Sequence, residues 1–160
     1  MQQKAVSAGK ELPLADDRYC FACGADNHIG LHLAFSDAAD GRLRCSFLPK
    51  KQHQGYAGIV HGGIIGLILD ELMVQALWRT ARPAVTAQFE MRFRQAAQVG
   101  EALDFLAWVE KEERGVFYMR AECRSAGNGQ TIAAASAKCR RANGLRVNPL
   151  RPSTPAQFDV

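Results

Sequence analysis

Apolar residues crowd His61–Arg79, HGGIIGLILDELMVQALWR, on almost every side of a helical projection. The segment has no proline, opens on glycines and holds about five turns of helix-favouring residues. Its one narrow polar stripe is Glu71, Gln75 and Arg79, spaced four apart. A helix this apolar must be wrapped by other structure rather than laid on a surface. Downstream the period changes to two. Val85, Ala87, Phe89, Met91 and Phe93 fall on one face and Thr86, Gln88, Glu90 and Arg92 on the other, the pattern of a half-buried strand. Ala102–Lys111, Val116–Arg124 and Gln130–Arg140 predict further strands, with turn chemistry in Glu112–Gly115 and Ser125–Gly129. Upstream, Ile29–Ser36 and Arg42–Leu48 read as a pair joined through Asp40-Gly41. The expected order is two strands, a long buried helix, then four strands linked by hairpins. That is an α+β architecture with an antiparallel sheet around one helix.

The totals bound this picture. A chain of 160 residues, 48% hydrophobic, suits one core. We place the domain at residues 19–141, between a polar tail at 1–18 and a tail at 142–160 that holds Pro149, Pro152 and Pro155. Asp70 and Glu71 break the longest apolar run, so no membrane span is expected. The first eighteen residues lack the apolar stretch of a secretory signal and carry Glu11, Asp16 and Asp17, which predicts a cytoplasmic protein. An odd count of five cysteines fits free thiols in that compartment. The net charge of +4 is mild and, apart from Lys138, Arg140 and Arg141, scattered. It suits an anionic small molecule as well as nucleic acid, but no nucleic-acid motif is present.

Two features carry chemistry. At His61-Gly62-Gly63, unhindered backbone coincides with the first helical N–H groups, which have no partner inside the helix. With the helix dipole this makes a site for an oxyanion or a polarised carbonyl. The same glycines would also serve simply to end a loop and permit tight packing. Asp70 is the second feature. It lies about 100° from the Glu71 stripe, on a face shared with Gly63, Gly66, Val74 and Leu77. Glu71 has an ordinary solvated explanation there, whereas a carboxylate on an apolar face needs a partner or a task. The plain alternative is a buried hydrogen bond to the sheet. Gly63 and Asp70 are separated by about 10 Å of helical rise, too far to serve one carbonyl from the same helix. Two helices packed antiparallel across a two-fold axis would bring each Asp70 to the partner's Gly63, with Gly66 permitting close approach.

The string Gly58-Ile59-Val60-His61-Gly62-Gly63, with Asp70 nine residues past the histidine, resembles the HGG-type hotdog thioesterases of the phenylacetyl-CoA thioesterase-like group. Cys20-Phe21-Ala22-Cys23-Gly24 followed by Gly30-Leu31 is similar to the opening of many of them, and the resemblance covers roughly residues 19–141. It implies a hotdog fold, a long central helix wrapped by a curved antiparallel sheet of about five to six strands. It also implies a homodimer, often a dimer of dimers, that hydrolyses acyl-CoA thioesters at the dimer interface without a cofactor. Carried over by position, Asp70 resembles the catalytic carboxylate, as base or nucleophile. Gly63 resembles the residue whose N–H polarises the carbonyl, and Thr86 a Ser/Thr that helps hold the water or the carboxylate. Some members place an asparagine six residues before the histidine as a second donor. Here that position is Gly55, so either Gln54 or His61 replaces it or nothing does, with Gly62 also expected at the substrate.

Arg92, Arg94 and Arg140 are candidates for the CoA phosphates, against a plain reading as a solvated sheet face. His61 fits a helix-entry hydrogen-bonding role better than acid–base work. Cys20-x2-Cys23 with His28 and His32 has a gap too short for a zinc finger, so free thiols near a turn are expected rather than a metal. A non-catalytic acyl-CoA binding or sensing module, and a dehydratase or hydratase using His61 with Asp70, remain alternatives on the same fold.

Overall fold

The computed structural model describes Leu14 and residues 16–142. The remainder of the two expected tails lies outside the described residues. Where the chain enters, Arg18 pairs with Asp26 at 2.8 Å and fixes the start of a turn through Cys20–Cys23. A short strand β1 (Phe35–Asp37) then pairs antiparallel with β2 (Leu43–Phe47). A 3-10 turn at Lys51–His53 leads into a small hairpin of β3 (Gln54–Tyr56) and β4 (Ile59–Val60). The helix α1 follows at Gly62–Trp78, then β5 (Ala84–Phe93), β6 (Leu103–Glu113), β7 (Val116–Ser125) and β8 (Thr131–Arg141).

The main sheet has six strands in the order β1-β2-β6-β7-β8-β5, all neighbours antiparallel. Its inner face is written by alternation: Leu103, Phe105 and Ala107 on β6, Phe117, Met119 and Ala121 on β7, Ala133, Ala135 and Ala137 on β8 are all buried. They meet Ile68, Leu69, Leu72, Met73 and Leu77 of α1, each wholly buried. Removing such side chains from water stabilises the fold by about 1.5–3 kcal/mol apiece. The helix stops where Ala81 takes a positive φ of 56°, with the Ala81 and Arg82 N–H groups closing on the Trp78 and Leu77 carbonyls and Pro83 following.

Two expectations need correction. The stretch Ile29–Ser36 is strand only from Phe35. Before that, the Leu31 and Leu33 N–H groups donate to the Phe21 and Ala22 carbonyls at 2.9 Å, so this backbone is bound to the Cys20–Cys23 turn and not to β2. Nor do hairpins link all four later strands. β5 lies at the sheet edge beside β8, and the chain crosses to β6 on the far side of β7 and β8. The intervening segment cannot turn back because it is tied elsewhere: Val60 N–H donates to the Ala97 carbonyl and Val99 N–H to the Gly58 carbonyl, both at 2.9 Å.

Candidate active site

Asp70 is half-buried on α1, and its Oδ1 accepts a hydrogen bond from Thr86 Oγ1 at 2.8 Å. Strict alternation would send Thr86 to the opposite face from Phe89, Met91 and Phe93. A β-bulge resolves the conflict. Thr86 pairs with Cys139 and Gln88 with Lys138, so Ala87 is an extra residue and the strand changes phase there. Thr86 opposes buried Cys139, while Phe89, Met91 and Phe93 oppose Ala137, Ala135 and Ala133. Hydroxyl and aromatic residues thus share the helix-facing side. Burial holds the Asp70 carboxyl above the usual carboxylate range; the Thr86 hydroxyl opposes that shift and the nearby Glu71 charge adds to it.

At the start of α1, His61 is the N-cap and its Nδ1 accepts from Gly63 N–H at 2.9 Å. The N–H expected to polarise a carbonyl therefore already has an acceptor within the chain. The adjoining Gly62 N–H has none among the described residues. Gly62 packs so closely on Phe93 that a Cβ there would sit 2.8 Å from the ring. Gly55 lies against His61, where a Cβ would be 3.2 Å from Cδ2, so an asparagine at this position would crowd the capping imidazole. Gln54 Oε1 accepts from Gly58 N–H at 3.3 Å and braces the β3–β4 turn. Gly55, His61 and Gly62, with Tyr56, Ile65, Phe93 and Arg94, line a mostly apolar cleft of about 460 Å³.

The three arginines do not converge. Arg94 lines this cleft and also an outer-face depression that it shares with Arg92 and Arg120. Arg92 is exposed and bonded to Glu90 at 3.3 Å. Arg140 stands six residues along β8 from Ala134, the partner of Arg92, or about 20 Å away. Arg94 is thus the best placed of the three to meet an anionic tail at the cleft.

Glu71 departs from its solvated reading. It is half-buried beneath the N-terminal turn, with Gln75 Nε2 donating to its Oε1 at 2.9 Å and Cys20 Sγ 3.7 Å from its Oε2. Of the polar stripe only Arg79 is exposed, paired with Asp37 at 3.5 Å. His28 and His32 are exposed and stand outside the cluster that Cys20, Cys23 and Glu71 form. Burial, then the Glu71 carboxylate, push the Cys23 thiol up, the opposite of what an activated nucleophile needs.

Against known proteins, residues 57–132 match the family model described as the thioesterase superfamily. Acyl-coenzyme A thioesterase 13 of Homo sapiens is 26% identical over 98 residues, 60% of this chain and 70% of that one. A solved thioesterase superfamily protein superposes with a TM-score of 0.72 at 21% identity, covering 86% of this chain and 70% of that chain. A hypothetical thioesterase protein from Streptococcus pneumoniae TIGR4, solved with coenzyme A, gives a TM-score of 0.63 at 16% identity over 68% of this chain and 84% of that one. Asp→Ala and Thr→Ala variants of that protein have also been solved, at positions sixteen residues apart. Asp70 and Thr86 stand sixteen apart here.

Proposed function

We propose that this chain, a hotdog-fold member of the thioesterase superfamily, hydrolyses acyl-CoA thioesters at a site completed by a second copy of itself. The observation that carries this reading is the Asp70–Thr86 hydrogen bond, a half-buried carboxylate held by a hydroxyl on an otherwise apolar helix face. In the proposed reaction Asp70 takes a proton from water as the oxygen adds to the thioester carbonyl carbon. The alternative is direct attack by the carboxylate, with water releasing the acyl group afterwards. The carbonyl oxygen is held at the helix start by Gly63 N–H, once the substrate displaces His61 Nδ1, and Gly62 N–H adjoins it. The carbon–sulfur bond then breaks, and the CoA thiolate is a good enough leaving group to need no strong acid. The proposed steps use only water and this chain's residues.

Asp70 and Gly63 are about 10 Å apart along α1, which is why the reading includes a homodimer. β5 supports it. A ten-residue edge strand offers an unpaired backbone ladder, and Phe89 and Phe93 are 36% and 50% exposed on it. Pairing β5 with its copy would extend the sheet across a two-fold axis and carry each cleft to the other chain's Asp70. Arg94 at the cleft rim is assigned to the CoA phosphates. A cytoplasmic location agrees with the five free cysteines.

A second reading, a non-catalytic acyl-CoA binding module, has one observation in its favour: His61 already occupies the Gly63 N–H. Thiol release from a panel of acyl-CoA esters separates the two, with Asp70→Asn and the exposed-loop variant Glu101→Gln beside wild type. Turnover lost by about 10²-fold or more in Asp70→Asn alone, with its size in solution unchanged, is the expected result. Binding without turnover in wild type, or full activity in Asp70→Asn, moves the binding module to first place.

A further inference from the structure

Two thiols and a carboxylate, all half-buried, meet where the N-terminal turn lies against α1, with Glu71 next to Asp70 in the chain but about 100° around the helix from it. Cys20 Sγ, Cys23 Sγ and a Glu71 oxygen stand within 4.8 Å of one another. Cys20 Sγ is 3.7 Å from Glu71 Oε2. In a tetrahedral zinc site, with Zn–S about 2.3 Å and Zn–O about 2.1 Å, the sulfur–oxygen edge is about 3.6 Å. The observed spacing, a thiol–carboxylate hydrogen bond as it stands, also fits two ligands on one ion.

The surroundings prepare the same three atoms. Gln75 Nε2 donates to Glu71 Oε1 at 2.9 Å and lies 3.6 Å from Cys23 Sγ. One carboxylate oxygen is thereby held while the other faces the thiols, as outer-shell partners orient a ligating carboxylate. The turn itself is tight. Gly24 N–H closes on the Cys20 carbonyl at 2.8 Å, and a Cβ at Gly24 would fall 2.5 Å from Arg18 O and Cys20 N. Among the described residues the polar partners of Glu71 are a thiol and an amide, neither of them a cation. A half-buried donor set of this kind lacks the counter-charge that a divalent ion supplies, and thiolate donors select a soft one.

We propose that Cys20, Cys23 and Glu71 bind one Zn²⁺ ion, with water in the fourth tetrahedral position, and that the ion staples the N-terminal turn to α1. Binding releases the two thiol protons to solvent. The ion closes a loop between chain segments some fifty residues apart, so its contribution is to stability and not to the hydrolytic steps. The third ligand comes from the helix and not from His28 or His32. This inference does not rest on the thioesterase reading.

The full chain, purified under reducing conditions, loaded with Zn²⁺ and dialysed, should retain about one zinc per chain by mass spectrometry of the metal. His28→Ala/His32→Ala should retain as much, and Cys20→Ser, Cys23→Ser and Glu71→Gln should each bind at least tenfold more weakly. Co²⁺ titration of metal-free wild type provides a measurement that needs no variant to fold. It should give thiolate-to-cobalt charge-transfer absorption saturating at one equivalent, because Cys45, Cys123 and Cys139 are buried. No retained zinc and no charge-transfer band in wild type overturns the proposal. So does unchanged zinc in the three ligand variants, or a Cys20–Cys23 disulfide, read as a mass short by two hydrogens, in protein taken directly from cells.

Discussion

Thr86 reaches Asp70, at 2.8 Å, from a strand whose register slips by one residue immediately after it. The pair links the edge of the sheet to the middle of α1 and leaves the second carboxylate oxygen without a hydrogen-bond partner among the described residues. Burial and the hydroxyl pull the acidity of Asp70 in opposite directions, so each can be removed separately.

Thr86→Val keeps the shape of the side chain and deletes the bond. Because that bond lowers the Asp70 pKa, its loss should carry the acid limb of the pH–rate profile for kcat/KM to higher pH. Thr86→Ser should leave the limb in place. An acid limb in Thr86→Val that coincides with wild type would mean that Asp70 is not the titrating base.

Asp70 should also tax stability. Burial lifts its folded pKa above the usual carboxylate range, so folding favours the protonated carboxyl. The associated stability is present below the unfolded carboxylate pKa of about 3.9 and is lost as pH rises through the folded value. Asp70→Asn, which can still accept from Thr86, should therefore match wild type in strong acid and melt higher than wild type at neutral pH. Thermal melts across that range check the sign.

His61 caps the helix with the atom that a substrate carbonyl would have to replace. His61→Ala should cost about 1 kcal/mol in urea unfolding. It should also leave the Gly63 N–H open to the substrate, so KM should hold or fall while stability drops. A kcat reduced a hundredfold at unchanged KM would instead make the imidazole part of the chemistry.

Whether the site is shared between chains is open to mixing. Gly63→Val puts a side chain where even a Cβ would be 2.9 Å from His61 Nδ1, and Asp70→Asn removes the proposed base. Each homodimer should be inactive. Unfolded together and refolded, the two should recover about a quarter of wild-type activity, since half the dimers are mixed and each holds one intact site. No recovery would place both functions within one chain.

How much of this was legible beforehand follows from the range of each signal. The buried helix and the strands after it were readable, because periodicity is local; the placing of Thr86 beside Asp70 comes from the family resemblance and not from alternation, which puts Thr86 on the other face. What escaped was set by distant partners. Ile29–Leu33 has strand composition, yet its N–H groups are claimed by Phe21 and Ala22. Glu71 reads as solvated because its stripe is polar, and the docking of Cys20 and Cys23 over it makes the position a half-buried one. The edge placement of β5 depends on where residues 94–101 are tied, which no alternation pattern records.

The extra residue at Ala87 divides β5 much as an inserted base divides a reading frame. On the helix-facing side, even positions count before it and odd positions after it. Substitutions on the strand are therefore tolerated or not according to parity, and the rule reverses at one point. Drawing Ala87 into the ladder as an ordinary paired residue would keep every side chain in the protein, yet it would turn either the hydroxyl or the aromatic half outward; deleting it would not, since Thr86 and Phe89 would then stand two positions apart. The Thr86 hydroxyl at one end of the strand and the exposed aromatic rings at the other share a face through a single unpaired alanine.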